Sequence, residues 1–130
     1  MYMISAFGEE EELTKESLKR LTDSVLRGGP IGVYLADDVE LGDRYMQVEA
    51  GSGLVMLQIV ENDGTKEARF YSSFNPEYLD SDEESPIECS DGQSVILMRY
   101  TMRDLNLAAK CVEYFARTQL PYPGMSWLKG

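Results

Sequence analysis

The last third of the chain limits its fold more than any other stretch. Met102, Leu105, Ala108, Ala109, Val112, Phe115 and Ala116 recur at intervals of three and four. That spacing lines one face of an α-helix. Arg103, Asp104, Lys110, Glu113 and Arg117 fall mostly off it. Thr101 stands where an N-cap belongs, with Asp104 three residues on, a variant of the capping box. Pro121 disfavours α geometry in the residue before it, so the helix must end by Leu120. Pro121 to Gly124 turns the chain, and Met125, Trp127 and Leu128 bring it back apolar. Burying a large apolar side chain is worth roughly 2–3 kcal/mol. Trp127 is therefore expected to plug against the helix or a sheet beneath it.

The first thirty residues predict a second helix. Met1 to Phe7 is a short mixed apolar segment, an edge strand or a frayed start. Glu9 to Glu12 reads as a solvated acidic run facing the positive end of the helix that follows. Leu13, Leu18, Leu21, Val25 and Leu26 keep helical spacing, and Gly28-Gly29-Pro30 closes the segment.

Strand patterns follow. Ile31 to Ala36 alternates, as does Tyr45 to Ala50, with Met46 and Val48 on one side and Tyr45, Gln47 and Glu49 on the other. Gly51-Ser52-Gly53 marks a hairpin turn. Leu54 to Val60 is nearly continuously apolar, as a covered central strand is; Asn62-Asp63-Gly64 turns the chain into Ala68 to Ser73. Phe74 to Gly92 carries two prolines and seven acids and reads mostly as loop, with at most a short strand around Ile87 to Cys89. Val95 to Tyr100 reads as the last strand. No internal repeat or linker divides the 130 residues, so one domain over 1–130 is expected. The predicted class is α+β: an antiparallel β-sheet meander with an N-terminal helix and a long C-terminal helix packed on the sheet.

Charge narrows the partners. Twelve basic and twenty-three acidic residues give a net charge of −11. Such a chain repels nucleic acid, whose recognition rests on Lys and Arg contacts to phosphate, and anionic membrane surfaces. Its partners are expected to be basic, although acidity also serves solubility alone. No apolar run approaches the ~18–20 residues of a membrane helix. Residues 1–20 hold four consecutive glutamates and no signal-like apolar segment, which predicts a cytoplasmic protein. Cys89 and Cys111 are expected to be free thiols.

Catalytic constellations are scarce. With no histidine, a Ser-His-Asp or Cys-His arrangement is excluded, and no metal site or cofactor is expected. Nothing in the order of residues places two carboxylates across a cleft. Gly51-Ser52-Gly53 lacks the lysine and strand-to-helix context of a phosphate loop. A binding protein remains. Phe70, Tyr71, Phe74 and Tyr78 run directly into Asp80 to Glu84, and aromatic anchors with a charged rim are how interfaces concentrate affinity. The simpler reading of the same acids is a solvated loop.

The closing segment sharpens this. Ala108-Ala109, Phe115, Thr118, Leu120-Pro121 and Ser126-Trp127 resemble the closing pattern of the first-numbered immunity-protein family of bacterial polymorphic toxin systems. The likeness is specific over residues 95–128 and generic before that; Gln119 stands where the pattern calls for glycine. The resemblance implies a cytoplasmic antitoxin that is not an enzyme and binds a cognate secreted toxin one to one. The toxin is a basic domain, frequently a nucleic-acid (cytidine) deaminase, whose active-site groove is blocked. On that reading Asp80, Asp82, Glu83 and Glu84, with Tyr78 and Phe74, make the contact, and Asp37, Asp38, Glu40 and Asp43 are the next candidates. An acidic secretion chaperone or adaptor, and an enzyme using carboxylates alone, are the alternative classes.

Overall fold

The strand Leu54–Glu61 explains why the remaining elements lie where they do. A computed structural model describes residues 1–89 and 91–130. In chain order these form β1 (Tyr2–Ser5), β2 (Glu10–Glu12), α1 (Lys15–Leu26), β3 (Ile31–Ala36), β4 (Arg44–Gly51), β5 (Leu54–Glu61), β6 (Arg69–Ser72), α2 (Leu105–Thr118) and β7 (Leu128–Lys129). Two 3₁₀ turns, Pro76–Tyr78 and Met98–Tyr100, lie between β6 and α2. The strands make one antiparallel sheet in the order β2-β1-β3-β4-β5-β6-β7. The β3–β6 part is a meander; α1 carries the chain past β1 to reach β3, and β7 arrives from beyond α2. Among the described residues no helix is long and apolar enough to cross a membrane.

Alternation gives the sheet two faces. Val33, Leu35, Met46, Val48, Val55, Leu57 and Ile59 point one way and pack with Leu21 and Val25 of α1 and with Ala108, Cys111, Val112 and Phe115 of α2. Both helices thus share one core with one sheet face. The opposite side of β5 is buried too, at Leu54 and Met56, under Ile87, Cys89, Ile96 and Met98 of the 74–102 excursion. A strand apolar on both faces needs two covers, and the excursion is the second.

Helix α1 is capped reciprocally. Ser17 N donates to Thr14 Oγ1 at 3.1 Å, and Thr14 N to Ser17 Oγ at 2.7 Å, a capping box closed by serine. Its end lies against the β4–β5 turn. A Cβ on Gly28 would come within 2.6 Å of Gly53 Cα, and Gly28 has φ of +77°. Only glycine meets both conditions.

Several expectations are corrected. The acidic run is solvated as expected, but Glu10–Glu12 also pairs with β1 as the sheet's outer strand. Met1 to Phe7 is neither edge nor frayed, since β1 pairs on both sides. Ile87 to Cys89 is not a strand, and Val95 to Tyr100 is not one either. That segment lies across the sheet, where no neighbouring strand offers a ladder, and it ends in a 3₁₀ turn. Helix α2 is capped by Asp104, whose Oδ1 accepts from Leu107 N at 3.0 Å. Thr101 is instead buried, with Oγ1 donating to Met98 O at 2.8 Å. The two backbone bonds between Met102 and Val55 (3.0 and 2.8 Å) hold this stretch extended, so the helix starts after it.

Beyond α2 the chain returns to the sheet. Gln119 caps the helix in the left-handed region at φ of 60°, and Arg44 Nη1 donates to its carbonyl at 3.0 Å while also reaching Glu61 Oε1 at 3.3 Å. Trp127 is half-buried against the helix-side core, its Nε1 donating to Tyr122 O at 3.0 Å. A non-glycine residue in the left-handed region costs on the order of 1 kcal/mol. Gln119→Gly keeps the carbonyl bond to Arg44 and is expected to raise the urea midpoint by an amount equivalent to about 1 kcal/mol. A lowered midpoint would mean that the side-chain bond from Gln119 to Asp37 outweighs backbone strain.

Candidate partner-binding surfaces

The 74–102 excursion presents its carboxylates on an ordered backbone. Asn75 Oδ1 accepts from Glu77 N at 3.1 Å, starting the first 3₁₀ turn, and Asn75 N donates to Arg99 O at 2.9 Å. Ser81 Oγ accepts from Glu83 N at 3.0 Å. Met98 N donates to Glu83 O at 2.8 Å, Ser85 N to Ile96 O at 2.8 Å, and Glu84 lies opposite Leu97 in an isolated bridge. Asp80, Asp82, Glu83 and Glu84 are all exposed. Asp82 is ion-paired to the Arg99 guanidinium, which also lies over the Tyr100 ring. Three of the four expected contact acids therefore have side chains free of any described ion pair.

The two expected aromatic anchors diverge. Tyr78 is half-buried and packs on the Leu54–Met98 core. Phe74 lines a separate groove of about 340 Å³ beside the start of α2, with Met102, Leu107 and Met125. Only Tyr78 packs on the core that the excursion forms over β5.

The second acidic group lies at the other end of the sheet. Asp37, Asp38, Glu40 and Asp43 are exposed on the β3–β4 turn, which meets β4 at Arg44, whereas the excursion sits over Leu54, the partner of Gly51 at the far end of β4. Asp38 shapes that turn: its Oδ1 accepts from Glu40 N and its carbonyl from Leu41 N, both at 2.9 Å. Asp63 N donates to Asp43 O at 3.0 Å, so the neighbouring β5–β6 turn adds Asp63 to this end. The leading group of candidate acids and the second group thus lie at opposite ends of the sheet.

Between them lies a surface that the sequence reading did not select. The excursion covers one end of the non-helical sheet face and leaves the rest open. A groove of about 430 Å³ runs where cover and open face meet, lined among others by Tyr34, Gln47, Gln58, Asp91 and Val95. Tyr34 and Tyr45 meet edge to face with centroids 5.8 Å apart. Tyr45 Oη donates to Asp63 Oδ2 at 3.3 Å, and Gln58 Nε2 to Ser72 Oγ at 3.2 Å. The signal for this face was present: Tyr34, Tyr45, Gln47 and Gln58 are the polar members of the alternating strands.

The electric field here is negative. Burial pushes the Tyr34 phenol above its ordinary 10.0, with Glu49, Asp91 and Cys89 adding to it. Burial likewise raises Tyr45, helped by the charge and hydrogen bond of Asp63 and by Tyr34. Asp91 is held below the usual carboxylate range by the Ser94 hydroxyl and then by the amides of Ser94 and Gln93. The thiols are poor nucleophiles. Burial and Asp104 push Cys111 up to about 12, and burial, Glu49 and Asp91 raise Cys89. Among the described residues no group of His, Cys, Asp and Glu is arranged to hold a metal ion.

A scan against family models and searches of curated proteins and solved structures each return no match to this chain.

Two outcomes are expected. Both phenol shifts are upward, so the folded state holds these protons more tightly than the unfolded one. Their contribution to stability is complete below pH 10.0 and is lost as pH rises past it. In a spectrophotometric titration, Asp63→Asn and Asp91→Asn should advance the ionisation of Tyr45 and Tyr34 respectively. A titration unmoved by either substitution would remove Asp63 and Asp91 from the causes of the two shifts. Ile96→Ala, by thinning the second core, should speed exchange of the Ser85 and Met98 amides while α2 keeps its protection. Equal loss in α2 would show that the excursion and the helical core unfold as one unit.

Proposed function

We propose that the chain is an antitoxin of the immunity type, which binds a basic toxin domain one to one and covers its substrate groove. The toxin class that fits is a nucleic-acid (cytidine) deaminase, whose groove is built to take phosphates. In that role the chain works in the producing cell's cytoplasm as an inhibitor and not as an enzyme, without a cofactor, and it touches neither nucleic acid nor membrane directly.

The observation that carries this reading is the ordered display of Asp80, Glu83 and Glu84 on a backbone pinned by its own apolar core. Carboxylates carried on a hydrogen-bonded backbone can stand in for phosphates without the entropy loss of ordering a flexible tail on binding. Their charge speeds encounter with a basic groove. The likeness of residues 95–128 to the immunity-protein pattern supports the same role.

Co-expression in bacteria with the toxin domain encoded beside this chain is expected to restore growth and to yield a one-to-one complex. The combined Asp80→Lys, Glu83→Lys and Glu84→Lys variant changes only exposed side chains. It should weaken binding by about 10–100-fold at low salt and flatten the salt dependence. Binding unchanged by all three would remove the excursion acids from the contact. Cell death without a complex would move the chain to the acidic secretion-chaperone class.

A further inference from the structure

We infer that the open, non-helical face of the sheet is itself a docking surface, and that its occupant is a basic protein presenting arginine side chains. The inference rests on the antitoxin reading for the basic partner. It goes beyond that reading in place, because the centre of the contact becomes the sheet and the turn acids become its border.

Strand register assembles the surface. Tyr2, Ala36, Tyr45, Val60 and Phe70 stand side by side on five neighbouring strands. Two residues along, Tyr34, Gln47, Gln58 and Ser72 form a second row. With strands about 4.8 Å apart, the first row is about 19 Å long. The excursion stops short of it: Phe70 is 38 % exposed and Val95, on the excursion's near border, is 55 % exposed. Aromatic rings and side-chain amides, with a buried Val60 in register between Tyr45 and Phe70, are unusual for a face meant only for water.

Charge selects the occupant. Residues 14–28 and 103–119, the helical layer, hold seven of the twelve basic residues and four of the twenty-three acids, a net +3. The remainder of the chain, sheet and turns, therefore carries −14. The basic residues within strands also avoid the open face. Arg44, Arg69 and Lys129 alternate onto the helical side, sharing its register with Glu61 and Tyr71. The open face keeps the acids: Glu10 and Glu12 at its β2 margin, Asp63 bonded to Tyr45, and Asp91 across from Tyr34.

A second copy of this chain docking through the same face would set like charge against like, and nucleic acid or an anionic membrane would be repelled. A basic protein meets no such barrier. Arginine fits better than lysine, because its planar guanidinium stacks on tyrosine and phenylalanine, donates to glutamine carbonyls and ends on carboxylates.

The test is a titration of the full chain, followed by amide and glutamine side-chain resonances, with a deca-arginine peptide and with deca-lysine. The largest shifts are expected at Tyr34, Tyr45, Gln47 and Gln58, with deca-arginine binding about tenfold more tightly than deca-lysine. Gln58→Arg should reduce that affinity about tenfold or more. Phe70→Glu, at an exposed position, should leave lysine and arginine peptides alike in affinity, and it serves if Gln58→Arg does not fold. Shifts confined to residues 37–43 and 80–84, or equal affinity of the wild-type chain for the two peptides, would overturn the surface. So would a homodimer that buries it. Toxin binding indifferent to Gln58→Arg would also overturn the surface while leaving the antitoxin role intact. A chain that binds no toxin yet gives the expected peptide shifts would remove that role and keep the surface.

Discussion

Burial of β5 on both faces is the constraint from which the architecture follows. Val55, Leu57 and Ile59 face the helices; Leu54 and Met56 face the excursion, and all five are buried. One helical layer satisfies half of that strand. The other half needs apolar residues delivered from elsewhere, and Ile87, Cys89, Ile96 and Met98 deliver them across some thirty residues rich in acids and prolines. Such a segment has too little apolar surface to fold by itself. It is ordered because four apolar side chains meet a preformed strand, which makes its acidic turns a fixed part of the molecular surface.

The regular elements were legible where one period dominated. The α1 spacing, the β3–β4 alternation and the Gly51-Ser52-Gly53 turn state their geometry in local residues, and the structure has them at those places. The failures have a common cause in tertiary contacts. Three glutamates form β2 because β1 offers a free edge, not because glutamate favours strands. The run from Val95 to Tyr100 looks like a strand by composition, but its apolar residues are spent on covering β5 from above. Thr101 loses the cap to Asp104 because Met102 is tied to Val55 by two backbone bonds. Gln119 departs from the glycine the closing pattern calls for, yet takes the left-handed cap conformation that glycine would take.

The candidate contacts divided in the same way. Exposure of the acids was readable from composition alone, and all of the acids singled out are exposed. Their grouping was not, since Asp37 to Asp43 and Asp80 to Glu84 close opposite ends of the sheet. Nor was the fate of the aromatics. Four residues apart, Phe74 and Tyr78 are drawn into different packing by Leu107 and Met125 on one side and Leu54 and Met56 on the other. The open face escaped notice because its members come from five strands, and only register brings them together.

Segregated charge turns these local facts into a property of the whole molecule. A net charge of −11 spread evenly would repel anions and attract cations without orientation. With +3 on the helical layer and −14 on the remainder, the molecule carries a dipole that turns its sheet side toward a basic partner before contact. Steering raises the encounter rate, but it is screened by salt and holds nothing in place. Residence time depends on short-range contacts that exclude water, which the exposed acids by themselves do not supply. Aromatic and amide side chains set inside a border of carboxylates meet that second requirement. On the proposed reading the charge and the rings are therefore parts of one surface, with orientation coming from the first and retention from the second.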